Sequence, residues 1–220
     1  MRIGTWNLNL QWGNKHRDLL QRKQCGEQCD VWLLTEVNPK AVSPQGMIAG
    51  YHCHLSSGVM ARNQHWAAVL SLQALTPLPD PHPASVAAIV DGITYCSTIL
   101  PWRGGSGPPW VGASQGARTA ATIQSLLKNL PKSDLVWGGD WNHSLFCSDW
   151  AGSKDGRDFL LAALKKKLKL QVPTAGLPHR LGGGQYSIDH VAVPWAWEVR
   201  CACRISATGL SDHDAYVIEV

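Results

Sequence analysis

Apolar runs of strand length, each closed by Gly, Pro, Asn or Asp, punctuate the chain at Ile3 to Leu8, Val31 to Thr35, Ala67 to Leu72, Ser85 to Val90, Thr94 to Leu100, Leu135 to Trp137, Ser187 to Val193 and Ala215 to Val220. Their length and their Val, Ile, Trp and Tyr content predict β-strands. Cys201 and Cys203 alternate in a further strand-like stretch. Two segments carry the other period. Ala117 to Leu130 places Ala120, Ile123, Leu127 and Leu130 three and four residues apart and stops at Pro131, the pattern of a helix with one buried stripe. Asp158 to Leu170 repeats it with Leu160, Leu161, Leu164 and Leu168, and His16 to Gln28 is a weaker, more charged version. Leu75 to Ala84, with four prolines, and Pro101 to Gly116, rich in Gly, Pro and Trp, read as loops.

Strands outnumber helices and fall in hairpin-like pairs as well as in strand-helix alternation. A purely parallel sheet is therefore disfavoured, and a two-sheet α/β core with helices outside fits better. At 220 residues the chain can bury one substantial core, so a single domain spanning 1–220 is expected. Lys plus Arg exceed Asp plus Glu by 20 to 16, a mildly basic balance that tolerates a polyanionic partner without requiring one. No run approaches the roughly 18 apolar residues of a membrane span, and the N-terminus lacks the apolar core of a signal peptide. The expectation is a cytoplasmic monomer with no obligate protein partner. Seven scattered cysteines, an odd number, point to free thiols in a reducing compartment. Neither Cys25 and Cys29 nor Cys201 and Cys203 has zinc-knuckle spacing, so both pairs read as small hydrophobes. Most of the 11 tryptophans should fill core space, whereas Trp102, Trp110 and Trp141 lie where a ring could stack on a ligand.

Candidate chemistry gathers at strand ends. In Gly139-Asp140-Trp141-Asn142-His143, directly after an apolar run, a carboxylate and a carboxamide two residues apart point to the same side and can converge on one oxygen-rich ligand. The same residue types also populate ordinary turns. Four further polar clusters share the strand-end location: Trp6-Asn7, Thr35-Glu36, Ile188-Asp189-His190 and Ser211-Asp212-His213. Each alone reads equally well as a cap, a turn or a satisfied buried polar group.

In this order the five motifs, W-N, then E, then G-D-x-N, then I-D-H, then S-D-H before the last strand, resemble the endonuclease/exonuclease/phosphatase superfamily over Arg2 to Val220. The resemblance implies a four-layer α/β/β/α sandwich with two mixed sheets face to face, and phosphoester cleavage aided by a divalent cation, Mg²⁺ with Mn²⁺ able to substitute. Hard cations suit carboxylate and carboxamide oxygens, which fits the residue types. By the same resemblance Glu36, Asn7 and Asp212 hold the metal. Asp140 orients or deprotonates the attacking water, Asn142 donates to the phosphate, and His213, paired with Asp189, stabilises developing charge. His143 and His190 flank these motifs, with His143 and Asn9 as further substrate-side candidates.

One departure concerns the central strand. Where many relatives carry T-H-L, this chain reads Thr98-Ile99-Leu100, and Ile99 can neither transfer a proton nor bind phosphate. Arg103 is the nearest replacement, a guanidinium able to clamp a phosphate but not to act as an acid, and Trp102 beside it offers a stacking face. The Lys165 to Lys169 run reads as a solvated helix face, and Gly182-Gly183-Gly184 as a flexible connection. The leading expectation is a metal-dependent nuclease acting on DNA or RNA. The alternatives are a phosphatase or phosphodiesterase for a small phosphorylated metabolite, phosphoinositide or lipid headgroup, and a catalytically silent nucleic-acid-binding domain.

Overall fold

Ile3, Val31 and Leu33 face one way and Trp6, Trp32 and Leu34 the other, so both faces of the first two strands are apolar and each must be covered. The computed structural model describes residues 1–21, 28–41, 50–60, 63–146 and 150–220. Two six-stranded mixed sheets result. The first contains β1 (Arg2–Asn7), β2 (Val31–Val37), β3 (His52–Leu55), β4 (His65–Ser71), β11 (Cys201–Ile205) and β12 (Ala215–Glu219), in the order β11-β12-β1-β2-β4-β3. The second contains β5 (Thr76–Leu78), β6 (Ser85–Val90), β7 (Ile93–Thr98), β8 (Leu135–Asp140), β9 (Leu170–Gln171) and β10 (Asp189–Pro194), in the order β5-β6-β7-β8-β10-β9.

The sheets close on each other through Ile3, Leu33, Val69, Val86, Val136, Val191 and Ile218. Helix α1 (Asn14–Gln21) covers the outside of the first sheet with Leu19 and Leu20 against Trp6 and Trp32. Helices α2 (Gln115–Asn129) and α3 (Lys154–Ala162) cover the second through Ile123, Leu126 and Leu160 against Trp137 and Trp141. The four layers run α/β/β/α. β1 and β2 are parallel, joined through α1, and β7 and β8 are parallel, joined through α2. Each crossover carries its strands forward in one direction, so the C-terminal ends of β1, β2 and β8 lie together.

Several boundaries differ from the sequence reading, each for a local reason. The proline-rich loop contains an edge strand, β5, where Pro77 opposite Ala88 loses nothing because an edge position can do without its N–H. β3 is a further edge strand that carries too few apolar residues to show a period. The third helix begins earlier, because the Ser153 hydroxyl accepts from the Gly156 N–H at 3.2 Å and caps it. It then loosens into a π-helical turn, Ala163–Leu168, and ends at Lys169, whose left-handed backbone (φ 53°) releases Leu170 into β9. Along this segment Leu160, Leu164 and Leu168 are buried while Leu161 is exposed. In α2, Leu126 is buried in the core and Leu127 packs against it partly buried, while Thr119 and Thr122 are buried beside Ile123. α1 begins at Asn14, two residues before its expected start, and residues 22–27 of the expected range, Cys25 among them, lie outside the described residues. Among the described residues, Cys29, Cys53, Cys96 and Cys201 are free thiols, and no helix is long and apolar enough to cross a membrane.

Candidate active site

β8 runs three residues past its apolar portion, to Asp140, and its two glycines make that possible. A Cβ on Gly138 would meet the His190 carbonyl oxygen at 2.6 Å, and one on Gly139 (φ +123°) would meet the Thr98 carbonyl oxygen at 2.2 Å. Without side chains there, neighbouring backbones close around the strand end. Alternation from Val136 through Gly138 then turns Asp140 into the space between the sheets, where it is 2% exposed. Asp189 opposes it directly across the β8 and β10 ladder and is 0% exposed.

Asn7, at the end of β1, links the two sheets. Its Nδ2 donates to Glu36 Oε1 at 3.1 Å and to Asp140 Oδ2 at 3.0 Å, while its Oδ1 accepts from the Asn9 N–H at 2.8 Å. Glu36 reaches this position because its own backbone is left-handed (φ 51°), which interrupts the alternation between Thr35 on the inner face and Val37 in the outer cluster. Such a conformation costs a non-glycine residue on the order of 1 kcal/mol and is held by its neighbours. Here the Glu36 carbonyl accepts from Leu10 N at 3.0 Å.

His213 completes the cluster from the loop before β12. Its Nδ1 lies 2.7 Å from Asp189 Oδ2 and its Nε2 lies 4.0 Å from Asp140 Oδ2. Ser211 fixes this loop: its hydroxyl donates to the Asn7 carbonyl at 2.7 Å and accepts from His213 N at 3.0 Å. Trp6 Nε1 donates to the His213 carbonyl at 3.1 Å. Both are supports that sequence reading left without a role. Ser211 stood inside the S-D-H motif, but nothing in the sequence shows that it bonds a residue 204 positions away. Asp212 is solvent-exposed, with its charge felt at Glu36, Asp189 and His213.

The electrostatics follow from burying several carboxylates together. Burial raises Asp140 to about 7, with the Asp189 charge adding to it and the His213 charge opposing it. Burial likewise raises Glu36 and Asp189, and the nearby Asp140 charge pushes Glu36 further. For His213, burial alone would favour the neutral ring, but Asp189 and Asp140 outweigh it and hold the imidazolium up to about 10. The buried Asp189 Oδ1 has no hydrogen-bond partner among the described residues.

A cluster short of positive charge fits a cation. Asp140, Asp189 and His213 bring three donor atoms within 4.8 Å of one another. His213, however, spends Nδ1 on Asp189, and an imidazolium has no lone pair to give a metal. Hard carboxylate and carboxamide oxygens suit a hard cation better, and one beside the raised Glu36 and Asp140 carboxyls would relieve them.

The remaining sequence candidates divide by position. Asn142 (φ 50°) donates its backbone N–H to Asp140 Oδ1 and its side-chain Nδ2 to the Leu100 carbonyl, both at 3.0 Å, which places it at the cluster. Asn9 lines a groove of about 520 Å³ with Arg180, Ser211 and Asp212, on one flank of the site. Trp102 is 38% exposed, follows the Leu100 and Asn142 contact in sequence, and sets its ring edge-on to Trp110 with centroids 4.8 Å apart. Arg103 donates Nε and Nη2 to the Gly152 carbonyl at 3.1 and 3.0 Å, tying its loop to the approach to α3.

His143 is not brought to the cluster. It is 0% exposed on the outer side of the second sheet, bonding Trp141 O through Nδ1 at 2.7 Å under the start of α3, so burial separates it from any substrate. His190 is buried on the same side, against the His143 carbonyl and the Trp141 ring. Both rings are held neutral by burial. Ile99 is fully buried with Trp66, Ala84 and Trp110, so its position carries an apolar wall of the loop and no polar group. Trp141, with 0% exposure, is core.

This architecture is the endonuclease/exonuclease/phosphatase fold. An AP endonuclease from Archaeoglobus fulgidus matches with TM-score 0.74 and 16% identity, covering 100% of this chain and 98% of that one. The 3' phosphatase NExo from Neisseria, solved with a product DNA hairpin, matches with TM-score 0.70 and 18% identity over 100% and 98%. An endonuclease/exonuclease/phosphatase protein from Beutenbergia cavernae matches with TM-score 0.67 and 16% identity over 99% and 70%. No family model and no curated protein sequence matches the chain.

Proposed function

We propose that this protein is a divalent-metal-dependent hydrolase that cleaves phosphodiester bonds in nucleic acid. The observation that carries the reading is Asn7 bridging Glu36 and Asp140 beside the Asp189 and His213 pair, an arrangement with separate acidic and cationic halves. Glu36, with Asp212 and the Asn7 carboxamide, would hold Mg²⁺ or Mn²⁺, which when bound supplies charge neutralisation at the phosphoryl oxygens. Asp140 serves as the group that orients the attacking water and accepts its proton, a role suited to a carboxyl raised toward neutrality. Asn142 commits one amide hydrogen to Leu100, and its second is directed to a phosphoryl oxygen. His213, kept protonated by Asp189, offsets charge that develops on the phosphate. Asp189 is the positioning residue of that pair. Trp102 and Asn9 flank the site as contacts for a base or sugar, and Arg103 acts by holding its loop.

The same groups can serve a terminal phosphomonoester, and the fold is shared by nucleases and by a 3' phosphatase. The test is turnover, with Mg²⁺ and with Mn²⁺, on single-stranded DNA, duplex DNA, an abasic duplex, RNA, a 3'-phosphorylated oligonucleotide and inositol phosphates. Internal or stepwise chain cleavage is expected. Release of phosphate alone would assign a phosphatase, and binding without turnover under either metal would overturn the enzymatic reading.

A further inference from the structure

At the opposite end of the second sheet from Asp140 lies a groove of about 330 Å³ that the chemistry above does not use. Leu168 and Pro194 form its apolar floor, Trp195 and Trp197 one wall, and Lys132 and Lys169 its rim. Trp195 is 49% exposed, an unusual display for the largest apolar ring on a soluble surface. The backbone that carries it is nonetheless held in place. Trp195 N donates to the Lys169 carbonyl at 3.0 Å, and Gln171 Nε2 donates to the Pro194 and Trp197 carbonyls at 3.2 and 2.8 Å. Lys165, Lys166 and Lys167 precede Lys169 on the same π-helical turn, all exposed, against the single carboxylate of Asp134 on the rim. The excess is strongly cationic.

We propose that this groove binds single-stranded nucleic acid, stacking a base on Trp195 while the lysines track the phosphates. An exposed indole on a fixed backbone, with exposed lysines around it, offers both parts of such a site, a sequence-tolerant stacking platform and a polyanion path. An acidic peptide would use the lysines but leave the ring idle, and an anionic bilayer would need a broader apolar face than one groove presents. The geometry also explains why a polymer is required. Leu135 at the groove and Asp140 at the active site are the two ends of β8, roughly 17 Å apart at about 3.3 Å per residue, so only an extended chain can engage both. The inference rests on the nuclease reading and names how that enzyme grips its substrate.

Binding is measured by anisotropy of a fluorescein-labelled 20-nucleotide mixed-sequence DNA strand in EDTA, beside turnover of bis(4-nitrophenyl) phosphate with Mn²⁺. Trp195→Ala and Lys132→Glu/Lys169→Glu should each weaken the strand about tenfold, flatten the salt dependence in the lysine variant, and leave turnover of the small phosphodiester unchanged. Unaltered affinity in both variants overturns the proposal, as does preference for poly-glutamate or phosphatidylserine vesicles over the strand. Since binding is read without metal, loss of turnover in the wild type would refute the nuclease reading while leaving the groove result standing. All three residues are exposed, and circular dichroism confirms that the variants fold.

Discussion

Asn7 shows how much one side chain decides here. Its two amide hydrogens join a carboxylate from each sheet, so Asn7→Asp would set three carboxyl groups against one another. Glu36→Gln removes the charge of the proposed metal ligand while keeping its volume, and kcat with Mg²⁺ is expected to fall by about a thousandfold or more, with affinity for Mg²⁺ lost in a direct calorimetric titration. Asp189→Asn addresses the cationic half. Burial alone lowers the imidazole pKa, and the Asp189 charge is the main influence opposing it, so removing that charge should bring His213 down from about 10 toward or below its ordinary 6.5. An NMR titration of the His213 ring reads this directly, and an unmoved titration would refute the pairing. The letters D, N, E and H were all visible in sequence. Their protonation was not, because it depends on which charges share a buried space.

At the level of elements, the strand end at Asp140 depends on glycine. Gly139→Ala would press a Cβ into the Thr98 carbonyl and force alanine to φ +123°, and about 3 kcal/mol of stability should be lost, seen as a shift of the urea midpoint. A null effect would mean that the strand end relaxes freely. Sequence reading ended this strand at Trp137, because two glycines break an apolar run. In the fold they continue the strand and let it approach its neighbours. The long third helix was read too far for a related reason: the leucine spacing continues smoothly, but the switch to a π-helical turn and the left-handed Lys169 are backbone events without a periodic signature. Edge strands β3 and β5 were likewise invisible, since each is created by the neighbour it pairs with.

For the whole molecule, the crowded acidic cluster should make stability depend on pH and metal together. Asp140 holds its proton more tightly when folded than the ordinary 3.8 of a free aspartate, so its contribution is complete below that pH and is lost as pH rises through about 7. His213 adds a contribution that is intact below 6.5 and lost as pH rises through about 10. Metal-free protein is therefore expected to melt lower at pH 9 than at pH 6. Mg²⁺ binds the ionised carboxyls, so its stabilisation should grow over the same range, reaching about 2.7 kcal/mol at a hundredfold excess over Kd. Calorimetric melts at both pH values, with EDTA and with Mg²⁺, check this. Equal stabilisation at pH 6 and pH 9 would place the cation away from Asp140 and Glu36.

By itself the sequence determined the two-sheet α/β character, through periods of two and of three to four, and it marked the candidate site residues, through five motifs whose order is a property of the chain. Only the tertiary structure decided which of them meet. Asn7, Glu36, Asp140, Asp189 and His213 converge because parallel crossovers through α1 and α2 bring the ends of β1, β2 and β8 to one side, and β10 and the loop before β12 return there. His143, next to Asn142 in the chain, is carried to the opposite face by the same alternation that aims Asp140 inward. Proximity along a chain is local, whereas a site depends on which face each strand presents once two sheets have closed on a dry core.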